Sequence, residues 1–388
     1  RKRKLKATAW TVVAFILVAL TAIPLYKLAR ESARADEQNL QDAIPVLKTG
    51  RVLVVARPRN KARPDDGSAS LQRRLSVLGA TAVSGLGQMI PLDPLLSSDL
   101  VRQKGSIDEA ILRTDPAYAL RILYATDEGE GDWRLSFSSL KGARWRTTTR
   151  IETTSPRGVS IAEVADALST LCEQAAASME LGYESPLEGL PESVVDSEEN
   201  WDMLASALAA ERRGRFSKAA KSIDALKDKS DLPPFMAVLR AFYKAASRWN
   251  ETRKLTGPDT DLPPEGRGEY AFLSRALRSI EAGDQKTVNA ALADYLMAYP
   301  HSARAHFLLG IWRDVAGEPT DEVMAAFRRS WELDPGYMPA VLAAGRLSVP
   351  QGKTAVKDLI SSYEEEAWDE VSVEELRRYC EHLAGEAN

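Results

Sequence analysis

The residues best able to do chemistry fall in a few short stretches, and spacing decides what each can do. "GRLSVPQGKT" (Gly345–Thr354) has the outline of a phosphate loop, but six residues separate its glycines where the cradle needs about four. It also lies within a helical pattern with no strand before it, so backbone amides would not converge on a phosphate. "GLGQMI" (Gly85–Ile90) opens like a dinucleotide turn and lacks the third glycine. His301 and His306 are five apart, off the i, i+4 face that lets two imidazoles share a metal, and His382 is remote from both. Cys172 and Cys380 are the two cysteines; they lack metal-ligand spacing and form no disulfide framework. The sequence holds neither a Gly-x-Ser-x-Gly elbow nor the kinase motif set. The expectation is a chain with no catalytic, cofactor-binding or metal-binding residue.

A binding surface is the next candidate. In "DWRLSFSSLKGARWRTTTRIE", apolar and polar residues alternate on both sides of Lys141-Gly142, which predicts a hairpin. Strict alternation would set Arg134, Arg144, Arg146 and Arg150 on one basic face, a possible site for an anionic partner. The plainer reading is a solvated outer face. With 51 basic and 55 acidic residues the net charge is −4, so bulk composition points away from nucleic acid and none is expected as a partner.

The hairpin needs a frame, and residues 51–182 provide its pattern. "RVLVVARP" (Arg51–Pro58) is apolar on both faces, as a covered, parallel-type strand would be. A helical stretch around Leu71–Leu78, a strand within "QMIPLDP", a helix over Ser106–Arg113 and a strand at Tyr118–Thr126 follow. Ile161, Val164, Leu168, Leu171, Cys172, Ala175 and Met179 then fall on one helical stripe, where Cys172 reads as a small buried hydrophobe. Together these predict a small α/β sandwich, helices on a mixed sheet. Residues 183–200, acidic and holding two prolines, read as a linker.

Ahead of this frame, Ala7–Tyr26 is an uncharged run of twenty residues, enough to cross a bilayer as a helix. Trp10 and Tyr26 sit near its ends at interface depth, with Phe15 inside the span. Residues 1–6 are basic, so the positive-inside rule puts them in the cytoplasm and everything after about residue 27, stalk 27–50 included, outside. Ala33-Arg34-Ala35 would suit a signal-peptidase site. The length of the apolar run favours an uncleaved anchor in an inner or plasma membrane, with the bilayer as its partner. A buried core helix would show an amphipathic period, which this run lacks. Arg1 stands where a translated chain would start on Met, so a joint to a preceding segment is expected.

Residues 201–388 show internal repetition. Gly283, Gly317 and Gly352 are spaced by 34 and 35 residues, Pro300 and Pro335 by 35, and Gly214 with Ala219 stands two periods before Gly283. Leu309, Gly310, Gly317, Phe327, Ser330, Leu333 and Pro335 carry the fullest match, which resembles the tetratricopeptide (TPR) repeat. Four to five helix pairs are expected, with Trp201, Trp249, Trp312 and Trp331 in the core. Stacked pairs of this kind leave a concave groove suited to peptides, so a protein partner is expected there. The competing reading is an α-solenoid that only braces the first domain.

The order of the parts resembles the exported half of bacterial single-pass signalling proteins with a TolB-N-terminal-like α/β domain and TPR repeats. In that group the cytoplasmic half is a Ser/Thr protein kinase or a CadC-like winged-helix domain. The resemblance implies an α+β multi-domain chain: transmembrane helix, α/β sandwich and TPR-like α-solenoid. It also implies a non-catalytic sensor or scaffold that binds a protein and relays the event across the membrane. Two alternatives stay open: the extracytoplasmic tail of a receptor kinase whose catalytic domain precedes residue 1, and a structural subunit of a cell-envelope complex.

Overall fold

A computed structural model of the chain describes residues 51–58, 66–91, 117–124, 131–141, 144–155, 161–188, 190, 197–225, 232–255, 266–365, 367 and 370–386. The expected membrane span with Trp10, Phe15 and Tyr26, the stalk and the expected helix over Ser106–Arg113 lie outside the described residues. Among the described residues no helix is long and apolar enough to cross a membrane.

The first part is a mixed sheet of order β2-β1-β3-β4-β5. Its centre is β1 (Arg51–Pro58), β3 (Tyr118–Tyr124) and β4 (Gly131–Lys141). β2 (Ile90–Pro91) and β5 (Arg144–Ser155) are the outer strands. β1 pairs in parallel with β2 and β3, and the β3–β4 and β4–β5 pairs are antiparallel. Val52 through Ala56 are all buried, which is why β1 reads as apolar on both faces. Helices α1 (Asp66–Val83) and α2 (Ile161–Met179) cover the sheet, α1 over β1 and α2 over β4 and β5. The expected stripe on α2 is the buried one, from Ile161 through Leu168 and Cys172 to Ala176.

The β4–β5 ladder contains one irregularity. Phe137 pairs with Thr149 while Ser138 pairs with Thr147, so Thr148 is an extra residue on β5. Such a bulge reverses the side-chain alternation beyond it.

The second part is helical. In chain order it contains α3 (Glu198–Arg212), α4 (Phe216–Asp224), α5 (Pro234–Thr252), α6 (Glu269–Ala282), α7 (Gln285–Ala298), α8 (Ala303–Val315), α9 (Thr320–Leu333), α10 (Met338–Ser348), α11 (Lys353–Glu364) and α12 (Glu370–Glu386). α3/α4, α6/α7, α8/α9 and α10/α11 are antiparallel neighbours joined by short turns. α5 lies between α4 and α6, and α12 packs on α10 and α11. The turns hold Gly214, Gly283, Gly317 and Gly352, all at positive φ (67°, 73°, 71° and 104°). A residue with a Cβ is strained there, so the repeated glycine is the mark of where a pair folds back.

Both parts share one buried core inside residues 50–388. α1 touches α3, and Arg74 on α1 makes a two-pronged bond to Asp202 on α3 (3.1 and 3.0 Å). The turn after α1 goes further and joins by backbone. Gly87 N donates to Gly182 O, Glu184 N to Gly85 O, Gln88 N to Ala298 O and Glu269 N to Ser84 O. A Cβ on Gly85 would stand 2.3 Å from Glu184 O, and one on Gly268 would stand 2.8 Å from Gly85 Cα. The Gly-x-Gly of "GLGQMI" therefore serves close backbone packing at this seam. Residues 183–188, within the expected linker, take part in it: Ser185, Pro186 and Leu187 are buried.

Candidate functional site

The main concentration of polar chemistry among the described residues is at the centre of the helical part, and none of its members was singled out from the sequence. Glu211, in the last turn of α3, is 2% exposed. A carboxylate at a helix C-terminus faces the negative end of the dipole, so it needs cations and donors to stay charged there. Arg304 on α8 supplies two, Nε and Nη2, at 2.8 and 2.9 Å. The Tyr243 hydroxyl from α5 and the Tyr337 hydroxyl donate to its two oxygens at 2.8 and 3.1 Å. The same guanidinium faces Glu269 at the start of α6 (3.6 Å), which accepts from Tyr295 (2.7 Å) and Ser302 (2.6 Å). Ser302 also accepts from Ala305 N and so caps α8.

This arrangement is a clamp. The donors to Glu211 use the about four lone-pair positions a carboxylate offers, leaving it no capacity for a substrate proton or a metal. Burial, with Glu211 beside them, holds the Tyr243 and Tyr337 phenols well above their ordinary range, and burial beside Glu269 does the same for Tyr295. One helix turn from Arg304, Phe307 is the hub of a ring cluster, with Phe216, Trp249, Phe327 and Tyr337 at centroid distances of 5.5, 6.3, 5.9 and 5.8 Å. α8 thus supplies both the central cation and the central ring.

Asp314 repeats the design two pairs along. It precedes Gly317 by three residues, as Glu211 precedes Gly214. It accepts from Trp249 Nε1 at 2.9 Å and from Arg253 at 2.7 Å. Arg253 ends α5 in the left-handed conformation (φ 57°), held there by that bond and by its stack over the Trp249 ring.

His301 and His306 are half-buried at the start of α8, whereas His382 on α12 is exposed. His306 Nε2 lies 3.1 Å from Pro300 O; a carbonyl only accepts, so Nε2 carries the proton in the neutral ring. Burial pushes His306 down to about 4 and lowers His301, with Arg329 adding to both. Burial pushes the Cys172 thiol up to about 12, as expected for a small buried hydrophobe. Among the described residues no group of three or more His, Cys, Asp or Glu could hold a metal ion.

The sequence-predicted positions fall as follows. Gly214, Gly283, Gly317 and Gly352 are the pair turns, and Ala219 is buried on α4. Gly310 on α8 lies against Phe327 on α9, where an added Cβ would stand 2.4 Å from the ring. Leu309 is half-buried beside it. Pro300 and Pro335 follow α7 and α9 and use their carbonyls on His306 and Tyr363. Trp201, Trp249, Trp312 and Trp331 are all buried. The side chains of Arg144, Arg146 and Arg150 lie outside the described residues, but their ladder positions do not. Arg150 pairs with Ser136, next to the Arg134–Glu152 pair, whereas Arg146 pairs with Ser139 and Arg144 with Lys141. The bulge at Thr148 falls between Arg146 and Arg150 in the ladder.

A cleft of about 470 Å³ opens where the α3–α4 turn meets the end of α5, lined by Gly214, Arg215, Lys218, Lys221, Ser247 and Asn250 among others. Neither the protein-family models nor the curated proteins offer a match for the chain.

Proposed function

We propose that the chain is a non-catalytic, membrane-anchored binding module. Its helix pairs, which resemble TPR repeats, hold a protein partner, and the α/β part moves with them. The observation that carries this reading is the set of four helix pairs, each turned by a positive-φ glycine at a one- or two-period spacing. Units of this kind bury their faces only against neighbours, and so present one extended surface built from many helices. The polar groups at the centre of the array support binding over turnover, because they are committed to internal bonds. The apolar run 7–26 and its basic flank support anchorage, with the described part outside the cytoplasm. The shared core of the two parts suits relay, since a partner that tilts the array tilts the sheet with it.

Photo-crosslinking residues placed at Lys218, Lys221 and Arg248 on the array, and at Glu163 and Glu173 on α2, test the reading in cells. Adducts to one partner from the array positions alone are expected. Adducts from α2 alone, or equal ones from every position, would sink it. For topology, a phosphatase reporter fused after Asn388 is expected to be active outside the cytoplasm, and activity inside would overturn the export claim.

A further inference from the structure

The two ends of the sheet are unequal. β2 spans two residues, and its approach is pinned through Gln88 to the end of α7. β5 spans twelve residues, carries neither Pro nor Lys, and among the described residues has β4 as its one neighbouring strand. The bulge at Thr148 blunts the first half of this edge, and the stretch beyond it, without Pro or Lys, is a template for another strand.

What would pair there is written in β5 itself. Beyond the bulge runs Thr149-Arg150-Ile151-Glu152-Thr153. Laid antiparallel against a second copy and centred on Ile151, this stretch is complementary to itself. Ile151 meets Ile151, Arg150 meets Glu152 twice, and Thr149 meets Thr153 twice. Any shift by one residue either way loses both opposite-charge pairs. The ladder adds a second layer of agreement, because Glu152 already pairs with Arg134 on β4. A second copy would extend that row as Arg134, Glu152, Arg150, with charges alternating across three strands. In the ladder Ile151 is in register with Leu135 and Thr149 with Phe137. The bulge at Thr148 bends the strand and sets the end of the pairing segment.

We infer that Thr149–Thr153 of β5 is a self-association edge, pairing antiparallel with the same segment of a second copy to make one continuous ten-stranded sheet, five strands from each copy. The two-fold axis passes through Ile151 perpendicular to the sheet, so the two α2 helices lie on the same side. This inference does not depend on a partner for the helical array.

The test uses the full chain in detergent. The native cysteines are both buried, so an introduced thiol reports on its own position. Oxidation of Ile151→Cys is expected to give a disulfide-linked dimer. Thr149→Cys and Thr153→Cys are expected to associate without cross-linking when alone and to cross-link when mixed with each other. Glu152→Arg should weaken self-association by about tenfold, since two like-charge contacts replace two opposite ones. Arg150→Glu combined with Glu152→Arg should restore it, which separates lost pairing from lost folding. A monomer by sedimentation, or a dimer indifferent to Glu152→Arg with no Ile151→Cys cross-link, overturns the proposal. So does equal cross-linking at every position.

Discussion

Beneath the sheet, burial is mostly aliphatic: Val52, Val54, Leu75, Leu78, Leu120, Ile122, Leu168 and Leu171 are each at most 1% exposed. In the helical part the same task falls to rings and charges, with Phe216, Phe242, Phe307 and Phe327 around the Glu211–Arg304–Glu269 clamp. The difference lies in what each interior tolerates. Aliphatic packing degrades by increments of lost area and cavity volume. An ion clamp fails as a unit, because removing one member leaves the others charged, buried and unpaired.

The largest effect is therefore expected at the clamp. Arg304→Met strands two carboxylates and should cost about 3–5 kcal/mol in denaturant unfolding at neutral pH. Adding Glu211→Gln and Glu269→Gln should recover part of that loss. If the single variant costs under about 1 kcal/mol, the contrast between the two interiors is wrong.

The seam between them comes next. Gly85→Ala should cost about 2–3 kcal/mol, because its Cβ meets the Glu184 carbonyl and Pro186 with no room to relax. Gly283→Ala is its counterpart, with open space around the added atom and only a positive φ to pay for; about 1 kcal/mol is expected. Equal losses at the two sites would remove the claim that the seam is packed backbone to backbone.

The last effect is absent at neutral pH and confined to acid. His306 takes up its proton in the unfolded chain near 6.5 but in the folded one only near 4. The unfolded state thus binds more protons between those values, and stability falls as pH drops through that window. His306→Gln, which can still donate to Pro300 O, should flatten that part of a stability–pH profile. An unchanged slope would mean that the acid sensitivity lies elsewhere.

Legibility followed the range of the interactions. The strand that is apolar on both faces, the α2 stripe and the pair-turn glycines are local patterns with a period, and residue order alone displays them. The bulge is local too, yet it sits in Thr147-Thr148-Thr149 with no glycine to mark it. Glu211 and Arg304 are 93 residues apart, and nothing near either announces the other. One local sign existed: an acidic residue three before the turn glycine, at both Glu211 and Asp314. The glycines of "GLGQMI" were visible as well, but a glycine required by a neighbouring backbone looks the same in sequence as one required by a phosphate.

That last ambiguity bears on how such a protein can be inherited or rebuilt. Modules joined by a slack tether can be exchanged by recombination, one ancestor's sheet spliced to another's helices. Here the 84–89 turn shares backbone bonds with residues 182, 184, 269 and 298, so both sides of any splice must fit each other at the level of single hydrogen bonds. A chimera cut between residues 190 and 197 would bring together two surfaces that never fitted. Grafts should keep residues 84–89, 182–188 and 266–269 from the same parent.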